Sequence, residues 1–165
     1  RDGFFMNDEK HQLAVIQKIR QYQPDIVLCN AVKDRHIDHG KGSNLVSDAC
    51  FLSGLAKIET ELNGEKQSAW RPKIVYHYQQ WNIQIPDFVV DVTGFMDKKM
   101  ASVLAYQSQF YNENNQEPET PITSKNFLDS INYRAQDLGR IIGVDYAEGF
   151  TVERFIGVKS LEDLI

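Results

Sequence analysis

Hydrophobic residues recur along this chain in two patterns, one with helical spacing and the other in short unbroken runs. The helical spacing is clearest over residues 124–142, where an apolar residue returns every three or four positions and Gly143 provides a stop. A second such stretch follows Asp8, a residue type that caps helices, and predicts a helix over residues 8–23 before Pro24. Both stretches predict amphipathic helices that pack one face against a core.

Weaker helical spacing predicts two further helices. One begins at Gly40 or Lys41 and runs to Ile58, and the other extends from Phe95 to about Gln109. The polar segment 112–123 contains two prolines and is expected to be an exposed loop.

The short apolar runs at residues 26–29, 73–78 and 88–92 predict β-strands. The run at 26–29 lacks polar alternation, which is typical of a parallel strand buried beneath helices. Because strands and helices alternate along the chain, we predict an α/β fold, a Rossmann-like three-layer α/β/α domain with a mostly parallel sheet. Residues 1–165 are predicted to belong to a single domain.

The composition is that of an ordinary globular domain and excludes several partners. Of the 165 residues, 42% are hydrophobic and 25% charged, with a net charge of −5. This balance offers no basic surface for nucleic acid or anionic lipid, and no apolar run approaches the roughly 18 to 20 residues that cross a bilayer. Cys29 and Cys50 lie in apolar segments and are expected to be reduced core residues of a cytoplasmic protein.

The polar loop after residues 26–29 holds the most unusual group of side chains. His36 and His39 stand three residues apart at the start of a predicted helix, with Asp38 between them. Ligands of open α/β sheets bind at the carboxyl ends of strands, and neutral imidazole binds zinc well. A solvated polar loop is the alternative interpretation, because the spacing also arises by chance and a catalytic zinc needs about three protein ligands.

Three other features are weaker candidates. His77 lies in a predicted strand and is expected to be a structural residue rather than a ligand. The glycine-containing stretch at residues 40–43 lacks the full spacing of a phosphate-binding loop. Asp91 ends a strand and could belong to a site or cap the next helix.

The chain resembles the LmbE-like, or PIG-L-like, family of zinc-dependent N-acetylglucosamine deacetylases in the segment IVLCNAVKDRHIDHGKGSNLVSDACFLSGL. The second motif of that family is His-Pro-Asp-His after a strand. The similarity continues through YHY, PDFVVDVTGFMDKKMASVLAYQSQF, EPETPITSKNFL and GVDYAEGFTVERFIGV, and so covers essentially the whole chain. These later segments resemble the subgroup that removes the acetyl group from N-acetylglucosaminyl malate in bacillithiol biosynthesis.

The resemblance implies roles for four residues. His39 matches the zinc ligand at the end of the motif, and His36 matches the His that stabilises the oxyanion. Asp38 matches the carboxylate that pairs with that His and keeps it protonated, and Arg35 is assigned to substrate contact. Ile37 departs from the usual Pro. The family further implies a Zn²⁺ cofactor, a small-molecule GlcNAc conjugate as substrate and a homo-oligomeric assembly.

The resemblance also implies groups that this chain does not contain. The family carries two more zinc ligands and its general-base Asp in a His-Pro-Asp-Asp motif after the first strand, and no such motif occurs here. We therefore expect the family domain to continue before Arg1, with its N-terminal strands outside this chain.

Other functions remain open at this point. A chitobiose-type deacetylase or an amidase that acts on thiol conjugates would use the same chemistry. A Rossmann-like binding or assembly module without turnover belongs to a different class. Zinc content would separate the two classes, and a substrate panel would separate the deacetylases.

Overall fold

The helices and strands of the protein were assigned in a computed structural model that describes residues 1–110 and 120–164. The helices are α1 (Glu9–Tyr22), α2 (Ile37–Leu52), α3 (Met96–Leu104) and α4 (Lys125–Ile142). The strands are β1 (Ile26–Cys29), β2 (Glu61–Leu62), β3 (Glu65–Lys66), β4 (Ile74–Tyr78), β5 (Phe88–Asp91) and β6 (Ala147–Val152). Short 3₁₀ turns occupy Pro121–Thr123 and Leu161–Leu164.

Helices α1 and α4 confirm the predictions made from their capping residues. The Asp8 carboxylate accepts the N–H of His11 at the start of α1. The Ser124 hydroxyl accepts the N–H of Phe127 at the start of α4, and Gly143 ends that helix in the left-handed conformation with φ 78°. Local signals were sufficient at these helix ends because each is closed by an adjacent side chain or glycine.

The α/β class with a mostly parallel sheet is confirmed. The strand order in the four-stranded sheet is β1-β4-β6-β5. β1 and β4 are parallel, with Ile26 opposite Ile74 and Cys29 opposite His77. β6 is the exception, because it pairs with β4 in the antiparallel direction.

Both predicted ends of α2 are wrong. The helix begins at Ile37 rather than residue 40 or 41, because the His36 side chain accepts the N–H of Asp38 and caps the helix earlier. Helix α2 ends at Leu52 rather than Ile58 because backbone carbonyls after Leu52 accept hydrogen bonds from a side chain of another helix. The guanidinium of Arg20 donates to the backbone oxygens of Ser53, Leu55 and Ile58 and to the Thr60 hydroxyl.

Two other segments differ from the predictions. Helix α3 ends at Leu104, short of the predicted residue 109. The hairpin of β2 and β3 falls where only a polar connection was predicted, and its turn contains Asn63 and Gly64, both with positive φ. Most of the predicted loop at 112–123 lies outside the described residues.

Contacts within the described chain divide it into two compact units, whereas the prediction of a single domain stays a prediction. Unit 1 comprises residues 1–87 and 150–165, and unit 2 comprises residues 88–149. The core of unit 1 joins residues from α1, α2, β1 and β4: Ile16, Ile19, Cys29, Ala49, Cys50 and Val75. The core of unit 2 joins Met96 of α3 to Ile131 and Ala135 of α4.

Helices α1 and α2 therefore pack on the face of the sheet that carries Cys29 and Val75. On β1, Ile26 and Leu28 alternate with Val27 and Cys29 and are more than half exposed, so the prediction of a fully buried strand is wrong for this face within the described residues. Cys29 and Cys50 are both free and buried, as predicted. Within the described residues, no helix is both long enough and apolar enough to span a membrane.

Candidate functional site

The candidate site lies in unit 1, where the loop after β1 meets the first turn of α2. Two glycines allow this loop to approach the helix closely. A Cβ atom on Gly42 would lie 2.9 Å from the Asn30 side-chain oxygen, and one on Gly40 would lie 3.1 Å from the Val32 carbonyl. Gly40 thus permits close approach of the loop backbone, and Gly42 permits close approach of the Asn30 side chain.

His39 is held by a buried carboxylate. Its Nδ1 atom lies 2.5 Å from Oδ2 of Asp34, whose side chain is inaccessible to solvent while that of His39 is 30% exposed. Burial alone would raise the pKa of Asp34, but hydrogen bonds from the Asn82 N–H, His39 and the Trp81 N–H outweigh it and lower that pKa. An ionised carboxylate only accepts hydrogen bonds, so Nδ1 of His39 carries the proton. In the neutral ring, Nε2 is then the atom with a free lone pair.

His36 has the opposite arrangement. Its Nδ1 atom accepts the backbone N–H of Asp38 at 3.2 Å, so the ring proton lies on Nε2. The doubly protonated His36 that the family resemblance implied stays a prediction. The centroids of the two imidazole rings are 5.5 Å apart. The two rings thus offer a hydrogen-bond donor and a lone pair side by side.

Asp38 is mostly buried against the N-terminal residues. Its Oδ2 atom accepts the N–H of Gly3 at 2.6 Å, and its side chain is 11% exposed. The pKa of Asp38 is lowered, chiefly by this hydrogen bond, with smaller contributions from a side-chain hydrogen bond with Asp2 and from the positive charge of Lys41. Oδ1 of Asp38 is buried and has no hydrogen-bond partner among the described residues.

These side chains form a potential cation-binding group. Asp2, His36 and Asp38 each present a ligand atom, and the three atoms lie within 4.8 Å of one another. His39, the predicted zinc ligand, does not belong to this group. The group brings in Asp2, which sequence reasoning did not select, because nothing in the sequence indicates that the first residues fold back onto α2.

Arg35 is exposed and stacks on an aromatic ring. Its guanidinium carbon lies 4.8 Å from the ring centroid of Trp81, within the range of a cation–π interaction. Trp81 belongs to the segment after β4, so the structure brings a predicted substrate-contact residue against a segment that the sequence did not connect with it.

His77 is the structural residue that the sequence predicted. It is 2% exposed, and Nε2 lies 3.0 Å from the Glu153 carboxylate. Nδ1 lies 3.0 Å from the Ser43 hydroxyl and 2.9 Å from the Asn30 carbonyl. Both ring nitrogens are therefore occupied by protein groups. In unit 2, Asp91 accepts the N–H of Thr93 and stabilises a turn rather than capping α3.

Comparison with solved structures identifies the class of fold. No sequence-family profile matches the chain. A conserved protein from Thermus thermophilus, TT1542, is similar with a TM-score of 0.81 and 28% identity, over 96% of this chain and 66% of that one. The fold is thus shared across nearly the whole length of this chain.

Two solved enzymes have the same fold at lower identity. The N,N′-diacetylchitobiose deacetylase from Pyrococcus horikoshii, complexed with an inhibitor, matches with a TM-score of 0.71 and 21% identity, over all of this chain and 60% of that one. GalB, the 4-carboxy-2-hydroxymuconate hydratase from Pseudomonas putida, matches with a TM-score of 0.65 and 20% identity, over 93% and 62%. The chain thus spans about 60 to 66% of the length of these three proteins.

Proposed function

We propose that this protein is a zinc-dependent deacetylase of the LmbE-like family that acts on an N-acetylglucosamine conjugate. The observation that carries the proposal is the complementary hydrogen bonding of the two His residues. Asp34 leaves Nε2 of His39 with a lone pair, and the Asp38 N–H leaves Nε2 of His36 with a proton. A hydrolase that binds a metal beside a polarised carbonyl needs both functions. The fold shared with a chitobiose deacetylase supports the same proposal.

The donor chemistry of the site fits zinc. Imidazole nitrogen and carboxylate oxygen are usual zinc ligands, and the buried Oδ1 of Asp38 has no hydrogen-bond partner within the described residues. His39 would hold the ion through Nε2, and its ring lies 5.5 Å from that of His36, which forms the potential cation-binding group with Asp2 and Asp38. When bound, zinc supplies Lewis-acid polarisation of the acetamide carbonyl and lowers the pKa of water.

Two further interactions belong to the residues of this chain. His36 donates from Nε2 to the acetamide oxygen as negative charge develops there, a contact whose removal in comparable sites costs about 10²- to 10³-fold in kcat. Arg35, stacked on Trp81, offers a planar guanidinium to an anionic group of the substrate.

The proposed substrate is N-acetylglucosaminyl malate, as in bacillithiol biosynthesis. The malate carboxylates suit Arg35, because guanidinium binds carboxylate through paired hydrogen bonds. The alternative substrate is N,N′-diacetylchitobiose, which the activity of the Pyrococcus horikoshii protein suggests and which lacks those carboxylates. A thiol-conjugate amidase and a module without turnover are the remaining alternatives.

The test is a measurement of zinc per chain by elemental analysis, followed by a measurement of acetate release from each of these substrates. We expect about one zinc per chain and the fastest turnover with the malate conjugate. Turnover of chitobiose alone would contradict the substrate assignment. A purified protein without zinc and without acetate release from any substrate would support the non-catalytic module.

Homo-oligomer formation and cytoplasmic location are also proposed. Phe155 and Leu161, in the C-terminal segment, are 97% and 82% exposed, which is typical of residues that contact another subunit. The two free cysteines support a reducing compartment. Sedimentation of the wild type and a Phe155→Ser variant tests the assembly, and a monomer in both would contradict it.

A further inference from the structure

Asp34 is the most buried acidic side chain at the site, and the groups that contact its carboxylate are hydrogen-bond donors. Oδ1 accepts the N–H of Asn82 at 2.6 Å, and Oδ2 accepts the N–H of Trp81 at 3.2 Å. Oδ2 also lies 2.5 Å from Nδ1 of His39. A carboxylate with no solvent access and donors on both of its oxygens stays oriented, because rotation would leave donors without an acceptor.

This orientation determines which nitrogen of His39 is protonated. The carboxylate can accept the Nδ1–H but cannot donate to an unprotonated Nδ1. The tautomer with its proton on Nε2 would place the Nδ1 lone pair against a carboxylate oxygen at 2.5 Å. The neutral ring is therefore confined to the Nδ1–H form, with Nε2 available to a ligand.

Asp34 also joins His39 to the segment after β4. Other contacts hold this segment on the loop after β1: Gln84 donates to the Lys33 carbonyl, and Asn30 donates to Gln80. Neither of these contacts involves an imidazole. They offer matched controls, because they link the same two segments without touching His39.

We propose that Asp34 is a positioning residue that holds His39 in the Nδ1–H tautomer, reserves its Nε2 for zinc, and ties that choice to the backbone of Trp81 and Asn82. This inference rests on the proposed function, in which Nε2 of His39 is a zinc ligand. The carboxylate acts through His39 and does not touch the substrate. Buried carboxylates that accept a hydrogen bond from a metal-binding His typically change metal affinity about 10- to 100-fold when they are removed.

The first test is the tautomer of His39 in the metal-free full chain, read from the ¹⁵N resonances of its ring. We expect the Nδ1–H form in the wild type, a mixture in Asp34→Asn, and loss of the preference in Asp34→Ala. The Gln84→Ala variant should keep the wild-type tautomer, because it loosens the same two segments without changing the partner of His39. A merely structural role of Asp34 would not distinguish these variants.

The second test is zinc affinity, measured by competition with a chromophoric chelator. Asp34→Ala should bind zinc about 10- to 100-fold more weakly, and Asp34→Asn should fall between it and the wild type. Asp25→Asn removes an exposed carboxylate that pairs with Lys73 and should leave zinc affinity unchanged. If Asp34→Ala does not fold, Asp34→Asn, which keeps the side-chain volume, decides the result.

Distinct outcomes overturn the two proposals. An Nε2–H tautomer in wild-type His39, or unchanged tautomer and zinc affinity in folded Asp34 variants, would overturn the role of Asp34. Unchanged zinc affinity in His39→Ala would overturn the ligand assignment in the proposed function. The ¹⁵N measurement would in that case still support or overturn the control of the His39 tautomer by Asp34.

Discussion

His36 and His39 are the same residue type and each leaves its Nε2 atom to a ligand, but this atom carries a proton in His36 and a lone pair in His39. The difference comes from one partner each, the Asp38 N–H for His36 and the Asp34 carboxylate for His39. The first partner is two residues away and belongs to the helix cap. The second is five residues away, and its own orientation depends on Trp81 and Asn82, more than 45 residues further along the chain. Sequence spacing alone could therefore identify the two His residues but not the carboxylate that distinguishes them.

Replacement of each His by Ala should separate metal binding from catalysis. His39→Ala should lose zinc, because the lone pair of Nε2 is removed. His36→Ala should keep zinc and lower kcat by about 10²- to 10³-fold, because only the donor to the oxyanion is lost. Elemental analysis and steady-state kinetics on the same preparations measure both effects.

The matched control is His11→Ala, because His11 is bonded to the Asp8 carboxylate on the surface of α1. It should change neither zinc content nor kcat. Loss of zinc in His36→Ala, with normal turnover of the metal-loaded enzyme, would show that the two roles are assigned the wrong way round.

The two cysteines should resist alkylation in the folded protein. Burial raises the pKa of both Cys29 and Cys50 to about 12, with a smaller contribution from the negative charge of Glu153. The reactive thiolate is therefore scarce at about pH 8.5, the ordinary pKa of a free thiol, and the sulfur atoms are inaccessible as well. Mass spectrometry after iodoacetamide treatment should find neither modified in buffer and both modified in urea. Rapid modification in buffer would contradict the buried position of that cysteine.

At the scale of elements, helix ends were predictable where one adjacent residue closes them and unpredictable where a distant one does. Asp8 and Gly143 gave correct ends for α1 and α4. The end of α2 depends on Arg20, which lies in another helix and is 4% exposed. The hairpin of β2 and β3 had a local signal in Asn63-Gly64, which typically forms two-residue turns, and this signal was missed.

Removal of the Arg20 guanidinium should destabilise the protein strongly. Arg20→Ala removes the guanidinium donor from the carbonyls of Ser53, Leu55 and Ile58, and we expect the free energy of unfolding to fall by about 3 kcal/mol. The Ser53 and Leu55 carbonyls keep one backbone N–H each, whereas the Ile58 carbonyl and the Thr60 hydroxyl lose the Arg20 contact. Urea denaturation measures this change. Arg140→Ala, which removes an exposed pair with Asp137, should change it by less than about 1 kcal/mol. Equal effects of the two substitutions would mean that the Arg20 contacts contribute little.

At the scale of the whole molecule, the chain returns to its first unit after residues 88–149. Glu153 reaches the buried His77 there, and Arg154 donates to the Lys73 carbonyl. Such contacts join residues about 80 positions apart, so hydrophobic periodicity carries no information about them. The fold class could be predicted from local patterns, whereas the packing of the final segment required the structure.

Zinc should stabilise the folded protein, because the unfolded chain has no assembled site. At a free concentration about 100 times its Kd, zinc should add about 2.7 kcal/mol and raise Tm by about 5 to 10 °C. A chelator should reverse the shift in the wild type. Calorimetry with the His39→Ala variant is the control, and a zinc-dependent shift of the same size there would contradict the proposed ligand.

The stacking of Arg35 on Trp81 gives the protein an optical reporter. The chain has two tryptophans, and the indole N–H of Trp70 donates to the Pro24 carbonyl, away from the His residues of the site. The ring centroid of Trp81 instead lies 4.8 Å from the guanidinium carbon of Arg35, and the backbone N–H of Trp81 donates to the Asp34 carboxylate. Indole fluorescence depends on nearby charge and polarity. In a Trp70→Phe variant, Trp81 would be the remaining tryptophan, and its emission would depend on the position of the Arg35 guanidinium. Binding of an anionic substrate that moves the Arg35 guanidinium away from Trp81 would then change the emission wavelength and the fluorescence intensity of Trp81.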